Sequence, residues 1–329
     1  MSKLDLLVKY IEKHNKLFIQ MHNSPDPDAV GSAFGLQYLL LQRGIEGEIC
    51  YKGEIDKYNT QKMIELLGIR AINIDDIHNM EEDDLIILVD SQKGNSNLED
   101  FIGNEIAAID HHPIFQKTDY YFSDIRPEIG ACSTIIASYF IENNIEIPKN
   151  VATALLYGIK MDTLDLTRGV SHLDLDMFCI LYKLADIEIV NKIQTNSLQF
   201  EELLAYGNAI KNIKVYDNVG FANVNMDCPD SLLGTISDFI ISIQEVEFSV
   251  VYSPRDSGIK FSVRNELDYL DAGKLVHDVL KEVGNGGGHK TMAGGFLPAE
   301  NLHIIGDIDS FVEDRFLQEI KITKRQFKQ

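Results

Sequence analysis

The stretch Glu105-Ile-Ala-Ala-Ile-Asp-His-His112 decides the fold, because an apolar run ends there in three residues of metal-ligand type. Two other segments have the same arrangement: residues 18–21 run into His22-Asn-Ser-Pro-Asp-Pro-Asp28, and residues 85–89 run into Asp90. In a parallel α/β sheet, ligands bind outside the carboxyl ends of the strands. The sequence therefore predicts that three buried strands deliver carboxylates and imidazoles to one site.

The first half of the chain alternates short apolar runs with segments of helical periodicity. We predict strands over residues 17–21, 47–51, 71–74, 85–90 and 105–109. We predict helices over residues 29–43, 60–67, 130–143, 149–162 and 173–185, where apolar residues recur at helical spacing. This alternation indicates an α/β domain with a parallel sheet covered by helices.

The pattern changes from about residue 187. We predict one long helix over residues 194–213, strands over 220–225, 247–252 and 259–264, and helices over 231–241 and 272–283. The basic tail, residues 321–329, is expected to be mobile. We therefore expect an N-terminal α/β domain over residues 1–186, a helical linker over 187–214, and a smaller C-terminal α/β domain with a mixed sheet over 215–329.

The formal net charge of −21 over 329 residues restricts the partners. Proteins that grip long nucleic acid do so with Lys and Arg that neutralise phosphates, so a long duplex is disfavoured. A small phosphorylated substrate, met through bound metal ions, is compatible with the acidity. Acidity that serves solubility alone is an equally good explanation.

The location of the protein is constrained by what the sequence contains. No apolar stretch reaches the roughly 18 residues of a membrane span, and the start Met1-Ser-Lys-Leu-Asp-Leu-Leu7 lacks the apolar core of a signal peptide. The four cysteines form no CxxC pair, so neither a zinc knuckle nor a redox dithiol is indicated. We expect a cytoplasmic protein without a membrane partner.

The carboxylates at the strand ends, together with Asp162 at the end of a predicted helix, require positive charge nearby. Several carboxylates in one place cannot all stay ionised without it. A mixed set of oxygen and nitrogen ligands suits Mn²⁺, with Mg²⁺ or Co²⁺ as substitutes. Two such ions about 3.5–4 Å apart could share one carboxylate and activate a water molecule.

Each of these residues also has an ordinary explanation when it is taken alone. Asp26 and Asp28 could cap the helix that follows them, and His22 could be a satisfied, half-buried histidine. Asp90 could cap a loop after its strand. Only the combination, with ligand-type residues at three strand ends and one helix end, favours the metal site.

The ordered motifs resemble those of the DHH phosphoesterase superfamily. They are residues 22–32, then Val89-Asp-Ser91, then Asp110-His-His112, then Gly158-Ile-Lys-Met-Asp-Thr163. In the second half, Gly286-Gly-Gly-His-Lys-Thr-Met-Ala-Gly-Gly-Phe296 resembles the glycine-rich motif of the DHH-associated C-terminal domain. The subgroup that it resembles most is the bifunctional oligoribonuclease (nanoRNase) and 3′-phosphoadenosine 5′-phosphate phosphatase type.

The resemblance implies a role for each matching residue. It implies two sets of metal ligands, which are His22, Asp26 and Asp90 for one ion, and Asp28, Asp90, His111 and Asp162 for the other. His112 would contact the scissile phosphate, and could stabilise developing charge or protonate the leaving oxygen. Asp110 would orient the neighbouring histidine.

The glycine-rich segment nearly spells a phosphate-binding P-loop over residues 284–291. That motif has glycine where His289 stands, and it follows a strand, whereas a helix is expected here. We therefore reject a nucleotide triphosphatase. Glycines still let backbone N–H groups approach an anion, and the resemblance implies that one end of the substrate is bound by Arg264, Gly286, Gly287, Gly288 and His289. The alternative is a glycine-rich turn with a surface arginine.

Two departures from the family pattern leave the substrate open. Residues 164–166 stand where an aromatic residue is common, and Asn265 stands where the subgroup commonly has serine. We predict a metal-dependent hydrolase, a phosphodiesterase or phosphatase acting on short RNA, dinucleotides or 3′-phosphoadenosine 5′-phosphate. The alternative is a cyclic or linear dinucleotide phosphodiesterase (c-di-AMP or pApA), and a non-catalytic nucleotide-binding regulator is more remote. A pyrophosphatase is less favoured, and a homodimer is compatible with the sequence.

Overall fold

The computed structural model describes residues 1–11, 16–95, 97–114, 116–195 and 198–327. The chain divides into two compact units, Met1–Ser197 and Leu198–Gln329. The division falls inside residues 187–214, the interval predicted to be a linker. The helix Ile187–Gln194 within that interval belongs to the first unit. None of the helices in the described ranges is long and apolar enough to cross a membrane.

Unit 1 is built around a parallel sheet. Its strands, in the described residues, are β1 (Leu17–Met21), β2 (Glu48–Tyr51), β3 (Ala71–Asn73), β4 (Leu85–Val89), β5 (Asn104–Asp110) and β6 (Phe122–Ile125). They pair in the order β3-β2-β1-β4-β5-β6, and every pairing is parallel. The predicted parallel α/β fold is therefore confirmed. β6, which the sequence analysis missed, extends the sheet at one edge.

The helices of unit 1 begin and end at recognisable signals. They are α1 (Lys3–Ile11), α2 (Pro27–Leu41), α3 (Tyr58–Leu67), α4 (Cys132–Glu142), α5 (Lys149–Asp162), α6 (His172–Leu184) and α7 (Ile187–Gln194). Asp26 caps α2, whose first residue is a proline, in agreement with proline's preference for the first helical turn. α3 ends at Gly68 in a left-handed conformation. Asp186 caps α7 through its side chain.

The core of unit 1 lies on both faces of the sheet. All residues of β1 and β4 are buried, as expected for parallel strands covered on two sides. Ile19 and Met21 pack with α2, α4 and α5 in the larger apolar cluster. Phe18 and Leu88 face the other way and form a smaller cluster. The result is a rigid sheet whose strand ends present the polar residues.

Unit 2 has a mixed sheet, which confirms the second part of the fold prediction. Its strands are β7 (Lys214–Tyr216), β8 (Val219–Asn223), β9 (Phe248–Arg255), β10 (Gly258–Asn265), β11 (Asn285–Gly288) and β12 (Met292–Pro298), in the order β11-β12-β10-β9-β8-β7. β8 and β9 are parallel, and the other pairs are antiparallel. The helices are α8 (Glu202–Asn212), α9 (Asp230–Ile241), α10 (Ala272–Leu280), α11 (Leu302–Ile305) and α12 (Ile308–Phe327).

Two predictions about local structure are wrong, and the glycine-rich segment was not predicted to form strands. The long helix over residues 194–213 is two helices, because α7 ends at Gln194 and α8 begins at Glu202; residues 196 and 197 lie outside the described part. The basic tail is helical as far as Phe327, since Val312, Phe316 and Ile320 bury one face of α12 against the sheet. Residues 328 and 329 lie outside the described residues. The glycine-rich segment is a hairpin of β11 and β12 rather than a loop.

Candidate metal centre

The central strands of unit 1 bring the predicted ligands to one edge of the sheet. β1, β4 and β5 are neighbours, and Met21 pairs with Val89, which pairs with Ile109. The residues that follow these three positions therefore lie side by side. Polar side chains from separate parts of the sequence meet there because parallel strands all end at the same edge.

The first group of candidate ligands consists of His22, Asp26 and Asp90. The Nε2 atom of His22 lies 3.7 Å from Oδ2 of Asp90 and 3.9 Å from Oδ1 of Asp26. Nδ1 of the same ring lies 2.9 Å from the carbonyl oxygen of Asn23. A carbonyl can only accept a hydrogen bond, so Nδ1 carries a proton, and the neutral ring would offer the Nε2 lone pair to a cation. Asp26 also caps α2, accepting from the backbone N–H groups of Asp28 and Ala29.

The second group consists of Asp28, His111 and Asp162. Nε2 of His111 lies 3.1 Å from Oδ2 of Asp162 and 3.3 Å from Oδ1 of Asp90. Its Nδ1 lies 3.2 Å from the carbonyl oxygen of Ile129, which again fixes the proton on Nδ1. Asp90 thus stands between the two groups, with one oxygen toward each histidine.

Asp28 is fully buried and held by the start of α4. The N–H of Cys132 donates to its Oδ2 at 2.7 Å, and the N–H of Ser133 donates to its Oδ1 at 2.9 Å. Each carboxylate oxygen keeps further acceptor capacity for a cation. A side chain at Gly158 would collide with the Ser133 hydroxyl and come within 2.9 Å of Asp28 Oδ1. The glycine of the predicted motif therefore leaves room for a metal ligand.

The electrostatics of the cluster call for a cation. Burial, followed by the charges of Asp90 and Asp162, raises the pKa of Asp28 well above its usual value. Burial also raises the pKa of Asp90. Burial alone would lower the pKa of His22, but the carboxylates of Asp26 and Asp90 outweigh it and raise that pKa to about 9. A cation bound among these groups would compensate the carboxylate charge and replace the protons that Asp28 and His22 hold.

Unpaired buried atoms show that the residues fit a divalent ion. Oδ1 of Asp90, the hydroxyl of Ser91 and Nε2 of His111 are buried without a hydrogen-bond partner in the described part of the chain. Buried polar atoms are nearly always paired, so these atoms indicate a missing partner. Ligand atoms 3.1–3.9 Å apart suit an ion with bonds of about 2.0–2.2 Å. The mixture of carboxylate and imidazole suits Mn²⁺ or a similar ion.

His112 differs from His111 in its environment. Its Nδ1 lies 2.8 Å from Oδ1 of Asp110, and its side chain is 35% exposed. Burial opposes protonation, but the hydrogen bond with Asp110 raises the pKa of His112 above its usual value. Asp110 is in turn fixed by Gln92, whose amide donates to Oδ2 at 2.7 Å. His112 is therefore a held, partly accessible imidazole, and with Asp90, Asp110 and His111 it forms a third group of side chains that could hold a metal ion.

Two backbone features near the site are unusual. Asp90 has a φ of 59°, a left-handed conformation that is rare for residues other than glycine. Residues 164–166, directly after the ligand candidate Asp162, have φ values of 46°, 53° and 63°. This left-handed turn occupies the position where the family pattern commonly has an aromatic residue. Backbone strain of this kind is typical of functional sites.

In unit 2, the guanidinium of Arg264 is hydrogen-bonded to neighbouring protein groups. Its Nε and Nη2 atoms donate to the two oxygens of Asp238 at 2.5 and 3.4 Å. Nη1 donates to Ser262 Oγ and the Val263 carbonyl, and Nη2 donates to the Gly234 carbonyl. A guanidinium has five N–H donors, and all five have acceptors here. A phosphate could bind this arginine only by displacing one of them.

The glycine-rich segment lies at the edge of the unit 2 sheet. Gly273, at the start of α10, packs so closely on the Gly288 backbone that a side chain there would collide with it. The N–H of Gly273 donates to the His289 carbonyl, and the His289 side chain is exposed. Asn265, the departure from the family pattern, is buried, and its amide donates to the Lys290 carbonyl at 3.0 Å. Asn265 therefore fixes the turn that carries His289.

The sequence analysis missed the residues that support the site. The backbone amides of Cys132 and Ser133 hold Asp28, and Asp238 holds Arg264. Backbone amides leave no mark in a sequence, and Asp238 is separated from its partner by a strand and a turn. Gly158 is the exception, because its place in a motif could have signalled a close approach.

Comparisons with known proteins agree with this architecture. Residues 16–159 match the N-terminal domain of the DHH family, and residues 217–314 match the DHHA1 domain. The chain thus combines a DHH-family N-terminal domain with a DHHA1 domain. The candidate ligands lie within the DHH match, except Asp162, which follows its end by three residues.

Individual relatives differ in how much of the chain they cover. An uncharacterized protein of Methanocaldococcus jannaschii is 31% identical over 297 residues, which are 90% of this chain and 61% of that protein. A probable manganese-dependent inorganic pyrophosphatase of Streptococcus thermophilus is 32% identical over 161 residues, 48% of this chain and 51% of the pyrophosphatase. The chain thus spans about half the length of such pyrophosphatases. The crystal structure of an exopolyphosphatase-related protein from Bacteroides fragilis has a TM-score of 0.80 at 20% identity, covering 99% of this chain and 98% of that one, which shows a shared fold.

Proposed function

We propose that this protein is a hydrolase that uses divalent metal ions, preferably two Mn²⁺, to cleave phosphoester bonds of short nucleic-acid substrates. These would be short oligoribonucleotides, dinucleotides and 3′-phosphoadenosine 5′-phosphate. The observation that carries the proposal is the convergence of unpaired buried ligand atoms, Oδ1 of Asp90 and Nε2 of His111, on carboxylates from other elements. A cation bound there would pair these atoms and compensate the buried carboxylate charge.

The residues prepare the site in three ways. The carbonyls of Asn23 and Ile129 hold the ring protons of His22 and His111 on Nδ1, so that both rings present Nε2. Such partners beyond the ligands fix tautomer and orientation. Asp90 is shared between the two groups. Divalent ions bound there would polarise phosphoryl oxygens and lower the pKa of a water nucleophile.

His112 completes the chemistry. With Nδ1 bound to the Asp110 carboxylate, a protonated ring presents Nε2–H to the substrate. It would donate to a phosphoryl oxygen as negative charge develops, or protonate the leaving oxygen. Burial opposes protonation of His112, but the Asp110 carboxylate outweighs it and raises the pKa of His112, which favours the protonated ring.

Short substrates with a phosphorylated end are supported by the charge and by the second unit. A net charge of −21 opposes long polyanions, which need many cationic contacts. Arg264, Gly286, Gly287, Gly288 and His289 remain the proposed end-binding residues. Because Arg264 has no free donor, we propose that the substrate phosphate exchanges with Asp238, since a phosphate offers three strong acceptor oxygens.

Two related substrates stay as candidates. The resemblance also fits a cyclic or linear dinucleotide, such as c-di-AMP or pApA. The relatives named as manganese-dependent pyrophosphatases favour testing pyrophosphate as well, although their similarity covers about half of the chain. A cytoplasmic location belongs to the same proposal.

A substrate panel with Mn²⁺ tests the proposal. It compares a 5′-phosphorylated dinucleotide, a twenty-residue RNA, 3′-phosphoadenosine 5′-phosphate, c-di-AMP, pApA and pyrophosphate, each with and without a chelator. We expect metal-dependent cleavage of the dinucleotide, faster than that of the long RNA, and no turnover by Asp90→Ala. Equal rates on both RNAs would refute the preference for short substrates. Ligand binding without turnover under any divalent ion would instead support the non-catalytic regulator.

A further inference from the structure

Asp174, in the first turn of α6, is a fully buried carboxylate outside the candidate ligand groups. The N–H of Ser171 donates to Asp174 Oδ2 at 2.7 Å and the N–H of Asp174 donates to Ser171 Oγ at 3.2 Å, which forms the capping box of α6. The hydroxyl of Ser171 also donates to Asp174 Oδ2, at 2.6 Å. It also accepts from the N–H of Gly130 at 2.9 Å and from the hydroxyl of Thr134 at 2.5 Å. Among described residues it makes no ion pair, so these hydrogen bonds alone compensate its charge.

The hydrogen bonds to Gly130 and Thr134 connect Asp174 to residues outside α6 and its cap. They fix residues 129–134, here called the 129–134 segment, which leads into α4. α4 begins after Ala131, which supplies no side-chain cap. The segment is therefore held between two carboxylates, with Asp28 on one side and Asp174 on the other.

The 129–134 segment touches the second ligand group at three atoms. The Ile129 carbonyl binds Nδ1 of His111, and the N–H groups of Cys132 and Ser133 bind the two oxygens of Asp28. A displacement of this segment would therefore move two candidate ligands together.

The contact between Asp174 and the segment is tightly packed. A side chain at Gly130 would come within 2.8 Å of the Thr163 methyl group, 2.9 Å of the Gly169 carbonyl and 3.0 Å of Asp174 Oδ2. Thr163 directly follows Asp162, so the third ligand of the group leads into the same packed region. Position 130 therefore packs directly against Asp174 and against the residue that follows Asp162.

We propose that Asp174 is a positioning residue for the Asp28, His111 and Asp162 group, and that it sets the affinity of that group for its metal ion. This inference rests on the proposed metal-dependent function. Groups behind the ligands usually contribute about 10–100-fold to metal affinity. Asp174→Asn is a sharp test, because donors approach both carboxylate oxygens. Either orientation of the amide places its NH₂ group against a donor.

The experiment is a Mn²⁺ titration of the full chain. Binding is measured by calorimetry and by the electron paramagnetic resonance signal of free Mn²⁺. Asp186→Asn is the matched control, because Asp186 caps α7 in the same unit, accepting from Glu188 and Ile189, without touching the segment. We expect Asp174→Asn to weaken one Mn²⁺ site by about 10–100-fold, and Asp186→Asn to leave both affinities within about twofold. Thermal melting of both variants separates this effect from general destabilisation.

A second pair of variants covers the case in which Asp174→Asn does not fold. Thr134→Val removes one hydrogen bond to Asp174, and Thr153→Val, also fully buried in a helix of unit 1, is its control. We expect about three- to tenfold weaker binding for Thr134→Val alone. If the wild type binds no Mn²⁺, the proposed function itself fails. If the wild type binds Mn²⁺ and the folded variants at positions 174 and 134 bind it equally well, only the role of Asp174 is overturned.

Discussion

The candidate metal centre of unit 1 and the arginine of unit 2 differ in how their polar atoms are paired. In unit 1, Oδ1 of Asp90 and Nε2 of His111 are buried and lack hydrogen-bond partners. In unit 2, each donor of the Arg264 guanidinium has an acceptor. The candidate metal centre therefore has buried atoms that a bound cation could pair, whereas the guanidinium of Arg264 already has an acceptor for each donor.

This difference decides what each site needs from a ligand. An unpaired buried acceptor costs roughly 1–3 kcal/mol, and a cation that pairs with it removes that cost while displacing protons that the cluster holds. A saturated arginine can bind a ligand only by exchange, and the gain is the difference between two acceptors. We therefore expect substitutions at the metal centre of unit 1 to change binding and turnover strongly. Substitutions around Arg264 in unit 2 should change them modestly.

The largest expected effect comes from substituting the two adjacent histidines of unit 1 one at a time. His111→Ala removes an unpaired ligand atom, so we expect loss of Mn²⁺ binding at one site and of turnover. His112→Ala should bind Mn²⁺ like the wild type but lose about 10²–10⁴-fold in kcat, because it removes only the proton donor. Mn²⁺ titration and steady-state kinetics of both variants check this. Equal Mn²⁺ affinities in the two variants would break the distinction between ligand and acid.

Glycine-to-alanine substitutions in one helix of each unit test the packing around the metal centre. Gly158→Ala, in α5, places a methyl group against Ser133 and Asp28, so we expect a loss of about 1–3 kcal/mol in the free energy of unfolding and weaker Mn²⁺ binding. Gly207→Ala, in α8, meets open space and should gain about 0.5–1 kcal/mol. Chemical denaturation with and without Mn²⁺ measures both. A neutral Gly158→Ala would mean that Asp28 has more room than its contacts indicate.

The smallest expected effects concern the exchange at Arg264. Arg264→Ala should raise KM for a 5′-phosphorylated dinucleotide about tenfold with little change in kcat, whereas Asp238→Asn should lower KM about threefold because it weakens the competing acceptor. Lys214→Ala is a control. Lys214 pairs with Glu313 and lies in β7, at the opposite edge of the sheet from β11. If Arg264→Ala lowers only the melting temperature and leaves KM unchanged, the arginine has a structural role.

Much of the fold follows from local patterns in the sequence. The buried strands β1, β4 and β5 are short apolar runs with polar residues directly after them, and parallel pairing needs only that simple signal. α12 was missed because Val312, Phe316 and Ile320 are spread over a strongly charged segment. β11 was missed because Asn285-Gly-Gly-Gly288 has low strand propensity, and it is a strand only because β12 supplies the hydrogen bonds.

The site was less predictable than the fold. Motifs identified the candidate ligands, because ligand chemistry permits few residue types. The environment of each ligand depends on contacts between distant segments, such as Asp28 with the start of α4 or Asn265 with the turn at Lys290. The state of Arg264 depends on Asp238, an aspartate in a helix that has no distinguishing sequence context. Contacts of this kind are set by packing and cannot be inferred from spacing.

The left-handed turn at residues 164–166 has a consequence for protein engineering. Each non-glycine residue in that conformation costs about 1–2 kcal/mol, and Leu164 is 40% exposed, so its side chain returns little of that cost through packing. Asparagine and glycine adopt this left-handed conformation at lower cost. A directed-evolution library selected only for heat resistance should therefore be enriched in these residues at position 164.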